Sequence, residues 1–446
     1  MVHCAIGVKI FSVDVGLRRK VSLKLMQLGI PGINTLKVNQ DLSIDYGMFW
    51  FIKLGIKRTK INTPISLITQ NKKRILFVSA ADWAFRIHRL SLAKWLIEQG
   101  FKVAVICPSG NTVEELKKSG LEVYHMPLTR EYISFRGISA ASKSIVRSIE
   151  NFNPDIIHCV SLRCILLCWY ATRTKSASPC LVNHVIGMGS IFSEEPRSIK
   201  RRIIRGMVDW GLKKAFRKPG ATTVFQNYDD LRWWKKRVGL QSNQMLCIPG
   251  GIDWHQDNFE DSPHESRILF VGRMLRDKGI LELIDAWSQL LKEGIFSELY
   301  FCGSIDPGNP NSFSKTEMET LAEKKGFKWL GRRTDIPKQM ARASLVVLPT
   351  YREGFPRVLL EAGMANRAVV ATDVPGCREI VENEKTGLLV KPREVRSLFL
   401  GMKRLLNDPS LRERLARGLH QRVKTEFSDS VVNPKWKNLY DNIIRA

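Results

Sequence analysis

The chain has 446 residues, 44% of them hydrophobic, and 70 lysines and arginines against 43 acids, a formal net charge of +27. That length exceeds what one core accommodates, so two or three domains are expected, and the apolar content excludes a disordered chain. Nine cysteines lie scattered without a Cys-x-x-Cys pair, which excludes a disulfide framework or zinc ribbon and reads as free thiols in a reducing compartment.

Residues 1–70 show no strand–helix alternation and read as an N-terminal extension of unclear structure. Gly29, Pro31 and Gly32 interrupt any helix there, and Met48-Phe49-Trp50-Phe51-Ile52 is far too short to cross a bilayer. The N-terminus lacks the ordered basic, apolar and cleavage regions of a signal peptide. From residue 71 the pattern changes. Apolar runs at 75–78, 103–106, 156–157 and 181–182 alternate with helical stretches, so 71–255 reads as a first Rossmann-like domain.

Residues 198–218 carry Ile199, Ile203, Met207, Leu212 and Phe216 at helical spacing among many cations. They read as a basic amphipathic helix, suited either to an anionic membrane surface or to packing on the first domain. The polar stretch Trp254 to Glu265 reads as a linker, after which the strand–helix alternation restarts. A second Rossmann-like domain spans 264–425, and 426–446 is a terminal helix expected to pack back on the first domain.

The chemistry concentrates in the second domain. The run Arg267 to Val271 reads as a strand leading into Gly272-Arg273 and then Lys278-Gly279 at a helix start. The arginine fork and lysine charge match a diphosphate. The run Leu345 to Leu348 reads as a second strand, followed by Glu353-Gly354-Phe355-Pro356-Arg357-Val358 and, on the ensuing helix, Glu361. Pro356 is expected at the first helical position, and free N–H groups at that helix start favour an anion. Because ligands of open α/β sheets bind beyond the carboxyl ends of the strands, two cations and two carboxylates meeting there favour a nucleotide diphosphate. Either loop alone also reads as ordinary solvated surface.

From about Arg74 onward the chain resembles glycosyltransferase family 4, of the GT-B fold, within the group that builds bacterial capsule and lipopolysaccharide oligosaccharides. The resemblance is densest at Val271 to Gly279, Asp306 to Pro310, Leu348 to Gly354 and Ala371 to Glu379, and extends to Asp82-Trp83, His88 to Leu90 and Phe225 to Asn227. It implies an α/β chain of two Rossmann-like domains facing a deep interdomain cleft. It also implies a retaining transferase that needs no metal or other cofactor. Arg273 and Lys278 would bind the donor diphosphate, Glu353 the donor sugar and Glu361 the ribose, with backbone N–H groups near Arg357 and Val358 completing the cradle. The expected donor is a nucleotide-sugar, a UDP-N-acetylhexosamine, and the acceptor a polyprenyl-diphosphate-linked sugar at the inner face of an anionic membrane.

Two departures from the family pattern stand out. Ser79-Ala80-Ala81 replaces a Gly-Gly loop, and no histidine directly precedes Gly187-Met188-Gly189. His88, His184, Gly187 and Gly189 are the acceptor or cleft candidates, with packing as the alternative for both histidines. A GT-B epimerase or phosphorylase would keep the fold and change the reaction. A nucleic-acid-binding protein would explain the charge, but no zinc-finger spacing or RNA-binding signature accompanies it, and no nucleic acid partner is expected.

Overall fold

A computed structural model describes residues 73–128, 135–173, 179–193, 198–239, 244–253 and 266–445. The proposed extension 1–70 and the linker Trp254 to Glu265 lie outside them. Strands β1 (Arg74–Ser79), β2 (Lys102–Cys107), β3 (Glu122–His125), β4 (Ile156–Val160), β5 (Cys180–Val185), β6 (Ala221–Phe225) and β7 (Met245–Cys247) form a first parallel sheet in the order β3-β2-β1-β4-β5-β6-β7. Helices α1 (Asp82–His88), α2 (Leu90–Glu98), α3 (Val113–Lys118), α4 (Phe135–Phe152), α5 (Leu162–Thr172), α6 (Gly189–Ser193), α7 (Ile199–Phe216) and α8 (Tyr228–Val238) connect them.

The second parallel sheet comprises β8 (Arg267–Val271), β9 (Glu298–Cys302), β10 (Lys328–Trp329), β11 (Leu345–Leu348), β12 (Ala368–Thr372) and β13 (Leu388–Val390), in the order β10-β9-β8-β11-β12-β13. Its helices are α9 (Ile280–Lys292), α10 (Lys315–Lys325), α11 (Ile336–Ala341), α12 (Arg357–Met364), α13 (Cys377–Ile380), α14 (Val395–Asn407) and α15 (Pro409–Arg422). The closing helix, α16 (Asp429–Arg445), follows a single π turn at Val423–Phe427.

Parallel strands covered on both faces must be apolar throughout, and the central ones are. Ile75 to Val78, Ile268 to Phe270 and Leu345 to Val347 are wholly buried. The first sheet has two cores. One face packs Leu76, Val78 and Ile157 under α4, α5 and α8, while the other packs Ile75, Phe77 and Val182 under α2 and α16. Through Val432, Trp436 and Tyr440 the last helix of the chain completes the core of the first sheet.

Two strands of chain pass between the halves side by side. The Ile252 N–H donates to Phe427 O (2.9 Å) and the Asp429 N–H to Ile252 O (2.9 Å). In each sheet the chain winds outward and then returns to the centre, so the order reverses between β1 and β4 and between β8 and β11. Those two reversal points, at the carboxyl ends of the strands, are where side chains from successive loops can surround a ligand.

Candidate functional site

Arg273, Lys278 and Glu353 come from the two loops that flank the β8/β11 reversal. Lys278 ends a 3-10 turn, Arg276–Lys278, and Gly279 (φ 69°) turns the chain into α9. A Cβ on Gly279 would stand 2.1 Å from Pro349 O, so only glycine lets this turn settle against the loop after β11. That approach brings the Lys278 Nζ into an ion pair with Glu353 Oε1, whose side chains keep only 15% and 18% of their surface exposed. Arg273 donates to Asp306 Oδ2, and Arg357 donates to Glu361 Oε1 at 3.0 Å. Arg273 and Lys278, the two cations of the expected diphosphate cradle, thus each already hold a carboxylate, and so does Arg357 beside its backbone N–H groups.

The Glu353-Gly354 peptide lies wedged between two stretches of backbone. A Cβ on Gly354 would meet Ile186 O of the first half at 1.9 Å, Gly187 packs against Gly354 Cα, and Gly376 (φ 83°) would carry a Cβ into the carbonyls of Glu353 and Gly354. The Asn227 Nδ2 donates to Gly354 O at 2.8 Å, and Phe355 stacks edge-on against Phe427 at 5.4 Å. Beyond it, Pro356 caps α12 with φ −73° and ψ 107°, one residue earlier than expected, and the helix begins at Arg357. The Val358 side chain packs on the core, so what α12 offers at its start is its backbone N–H groups.

Several polar contacts fasten the first half to this loop. Arg352 pairs with Asp230, which is 1% exposed, Arg378 pairs with Asp229 at 3.1 Å, and the Tyr228 N–H donates to Glu379 Oε1 at 2.7 Å. Arg357 also donates to Ile87 O at 3.1 Å. All but the last involve the start of α8, where Asn227 caps the helix by accepting from the Asp230 N–H.

Residues 254–421 match the family model for glycosyl transferases group 1, and residues 74–217 match that for glycosyl transferase 4-like proteins. The chain belongs to glycosyltransferase family 4 and has the GT-B fold. It is 25% identical over 390 residues, 83% of the chain and 99% of the relative, to the N,N'-diacetylbacillosaminyl-diphospho-undecaprenol alpha-1,3-N-acetylgalactosaminyltransferase of Campylobacter jejuni. With the UDP-Gal:alpha-D-GlcNAc-diphosphoundecaprenol alpha-1,3-galactosyltransferase of Escherichia coli it shares 22% over 391 residues, 82% of the chain and 99% of the relative. The crystal structure of Anabaena Alr3699/HepE in complex with UDP and glucose matches its fold with a TM-score of 0.67 at 18% identity, covering 83% of this chain and 100% of that one.

In this glycosyltransferase the two candidate histidines part company. His88 ends α1, one residue from Ile87, whose carbonyl accepts from Arg357 of the second half at 3.1 Å. Its side chain is exposed, and crowding by surrounding protein together with the Arg89 and Arg357 cations beside it holds its imidazole below the usual range. His184 is wholly buried, which agrees with packing, the alternative given for it, and not with an acceptor or cleft role. Its Nε2 meets Arg89 NH2 at 3.2 Å, its Nδ1 meets His158 Nε2 at 2.9 Å, and His158 Nδ1 meets the Tyr440 hydroxyl at 2.7 Å. Trp436 closes this chain of groups, with ring centroids 4.7 Å from His184 and 4.9 Å from His158. Burial depresses both imidazoles and pushes the Arg89 guanidinium down to about 10.

Gly189 opens α6 in the left-handed region (φ 62°) with free space where a Cβ would sit. Asp82, which follows the Ser79-Ala80-Ala81 loop, is spent on the fold. Its Oδ2 accepts from the Thr112 N–H at 2.9 Å and the Thr112 hydroxyl at 2.7 Å.

Glu361 stands on α12, one turn beyond Arg357, and burial pushes its carboxyl up against the opposing pull of Arg357. Among the described residues no three His, Cys, Asp or Glu side chains cluster closely enough to hold a metal ion. The pairing of Asp306 with Arg273 and of Asp230 with Arg352 has no local signal in the sequence, since the partners stand 33 and 122 residues apart.

Proposed function

We propose that the enzyme transfers an N-acetylhexosamine from a UDP donor, with retention at the anomeric carbon and without a metal, onto a polyprenyl-diphosphate-linked sugar during bacterial surface polysaccharide synthesis. The observation that carries the reading is the convergence of Arg273, Lys278 and the start of α12 at the β8/β11 reversal, facing Glu353 and Glu361. When the bond between the anomeric carbon and the diphosphate breaks, negative charge develops on the leaving phosphate. A guanidinium, an ammonium and the positive end of a helix, held in place by the fold, stabilise that charge as it forms. They supply the positive charge that a divalent ion supplies elsewhere, which supports a metal-independent reaction.

Glu361 is suited to accept hydrogen bonds from the ribose hydroxyls and Glu353 to contact the sugar. His88, neutral and on the acceptor side, can accept a hydrogen bond from an incoming hydroxyl. Both relatives named above carry undecaprenyl-diphosphate-linked acceptors in their names and align over nearly their whole length, which supports the acceptor class.

The test is a thermal-shift panel of UDP, GDP, dTDP, ADP and inorganic phosphate, with the Arg273→Ala/Lys278→Ala variant alongside. A ligand at a hundred times its dissociation constant adds about 2.7 kcal/mol of stability. Selective stabilisation by UDP that the variant loses is expected. Equal stabilisation of the variant, or no selectivity among nucleotides, would remove the assigned diphosphate site.

A further inference from the structure

Helix α7 shows apolar side chains on two opposite faces. At 100° per residue, Leu212, Ala215 and Phe216 share the face that packs into the first domain, where all three are wholly buried. Ile199, Ile203, Met207 and Trp210 follow one another at spacings of four, four and three and share the opposite face. There they stand 77%, 59%, 61% and 57% exposed. The stripe expected from the sequence, running from Ile199 through Met207 to Leu212 and Phe216, therefore splits in two.

The outer stripe continues onto the neighbouring helix. Trp210 meets Trp169 of α5 edge-on at 5.7 Å, and Tyr170 beside it is 43% exposed. Around this ridge the segment 199–218 carries eight lysines and arginines and a single acid. That acid, Asp209, is buried beneath the helix and paired with Lys213 at 2.9 Å and Arg237 at 2.5 Å, so it does not offset the outer face.

We propose that the outer face of α7 is a membrane-docking surface that lies in the headgroup region of an anionic bilayer, with Ile199, Ile203, Met207 and Trp210 inserted between lipids and the flanking cations on the phosphates. This rests on the reading of a polyprenyl-linked acceptor and extends it by naming the surface that meets the membrane. The charge selects the occupant. A second copy of the chain would bring an equally cationic face against this one, and a nucleic acid backbone would answer the cations but leave the apolar ridge in water. An anionic lipid surface satisfies both components. Among the described residues no helix is long and apolar enough to cross a membrane, so attachment by a lying helix suits this part of the chain.

The experiment is co-sedimentation of the full chain with vesicles of phosphatidylcholine alone and of phosphatidylcholine with phosphatidylglycerol. Wild type is compared with Ile203→Glu/Met207→Glu, two positions whose side chains already face water. Wild type is expected to sediment with the anionic vesicles, in a salt-sensitive manner, and the variant to partition on the order of tenfold more weakly. The UDP-induced thermal shift should be the same in both, which separates failure of the surface from failure of the nucleotide site. Equal vesicle binding by the variant, or no binding by wild type, would overturn the proposal. A wild-type dimer that the variant converts to monomer, with vesicle binding unaltered, would assign the face to self-association instead.

Discussion

Asp306→Asn is expected to tighten nucleoside diphosphate binding. In the ligand-free chain the Arg273 guanidinium is held by the Asp306 carboxylate, so a phosphate must compete for it. Arg273 is 40% exposed and Asp306 15%, which makes this a solvated pair rather than a buried one. Such pairs are worth about 0.2–1 kcal/mol, so neutralising the aspartate should lower the UDP dissociation constant by about 1.4- to 5-fold. Asparagine has the same shape, and the loop is held by its backbone. The Asp306 N–H donates to Ser312 Oγ at 2.9 Å and the Asn309 N–H to Asp306 O at 2.8 Å, so the geometry should survive. Titration calorimetry with UDP at low and at high salt reads the effect, and the gain should shrink at high salt. The decisive control is the same substitution in an Arg273→Ala background, where no gain should remain. An unchanged affinity in the single variant, or a gain that persists without Arg273, would refute the competition and with it the placement of the phosphate on Arg273.

The remaining predictions concern how the halves are held together. Burial depresses His158 and His184, so the folded chain takes up fewer protons than the unfolded chain as pH falls through about 6.5, and their stabilisation is present above that pH and lost below it. At pH 5.5 the loss is about 1.4 kcal/mol per histidine, or about 3 kcal/mol for the pair; urea denaturation at pH 7.5 and 5.5 measures it, and a His158→Gln/His184→Gln variant should lose the difference. Asp230→Ala and Arg352→Ala should each lower the melting temperature, with a coupling of about 1–3 kcal/mol in the double-mutant cycle because the aspartate is buried. Additive single effects would show that the ion pair contributes nothing to joining the halves.

The second sheet was legible because its central strands are buried on both faces and so read as unbroken apolar runs. Leu345 to Leu348 needs no partner to be recognised. Lys278 and Glu353 were legible as neighbours for the same reason, since each loop leaves a strand of that sheet and the two strands are adjacent. The partners of His184 were not legible. Strand parity gives the face on which it lies, but both faces of β5 are covered. The cover on its side is α16, whose Trp436 and Tyr440 come from the far end of the chain. The outer face of α7 was misread for a different reason. Met207 and Leu212 are five residues apart, which turns a helix to about 140° past the first position, so one apolar list mixed the buried face with the exposed one.

The net charge of +27 says little about the site itself. Arg273 with Asp306, Lys278 with Glu353, and Arg357 with Glu361 each pair a cation with a carboxylate, so none of these cations of the proposed cradle is unopposed before a donor arrives. A diphosphate entering it must loosen contacts that already exist, and the binding energy it gains is the difference between two sets of charged hydrogen bonds. That difference is smaller than three unpaired cations would give, which weakens ground-state binding. On the proposed mechanism, the cations would meet their strongest demand when the sugar departs and the phosphate charge grows, so the arrangement would favour the transition state over the bound donor. On the same reading, once the sugar has left, Asp306 and Glu353 would be in place to reclaim Arg273 and Lys278, which would lower the cost of releasing the nucleoside diphosphate. Away from the site, the segment 199–218 gathers eight lysines and arginines around the apolar ridge of α7.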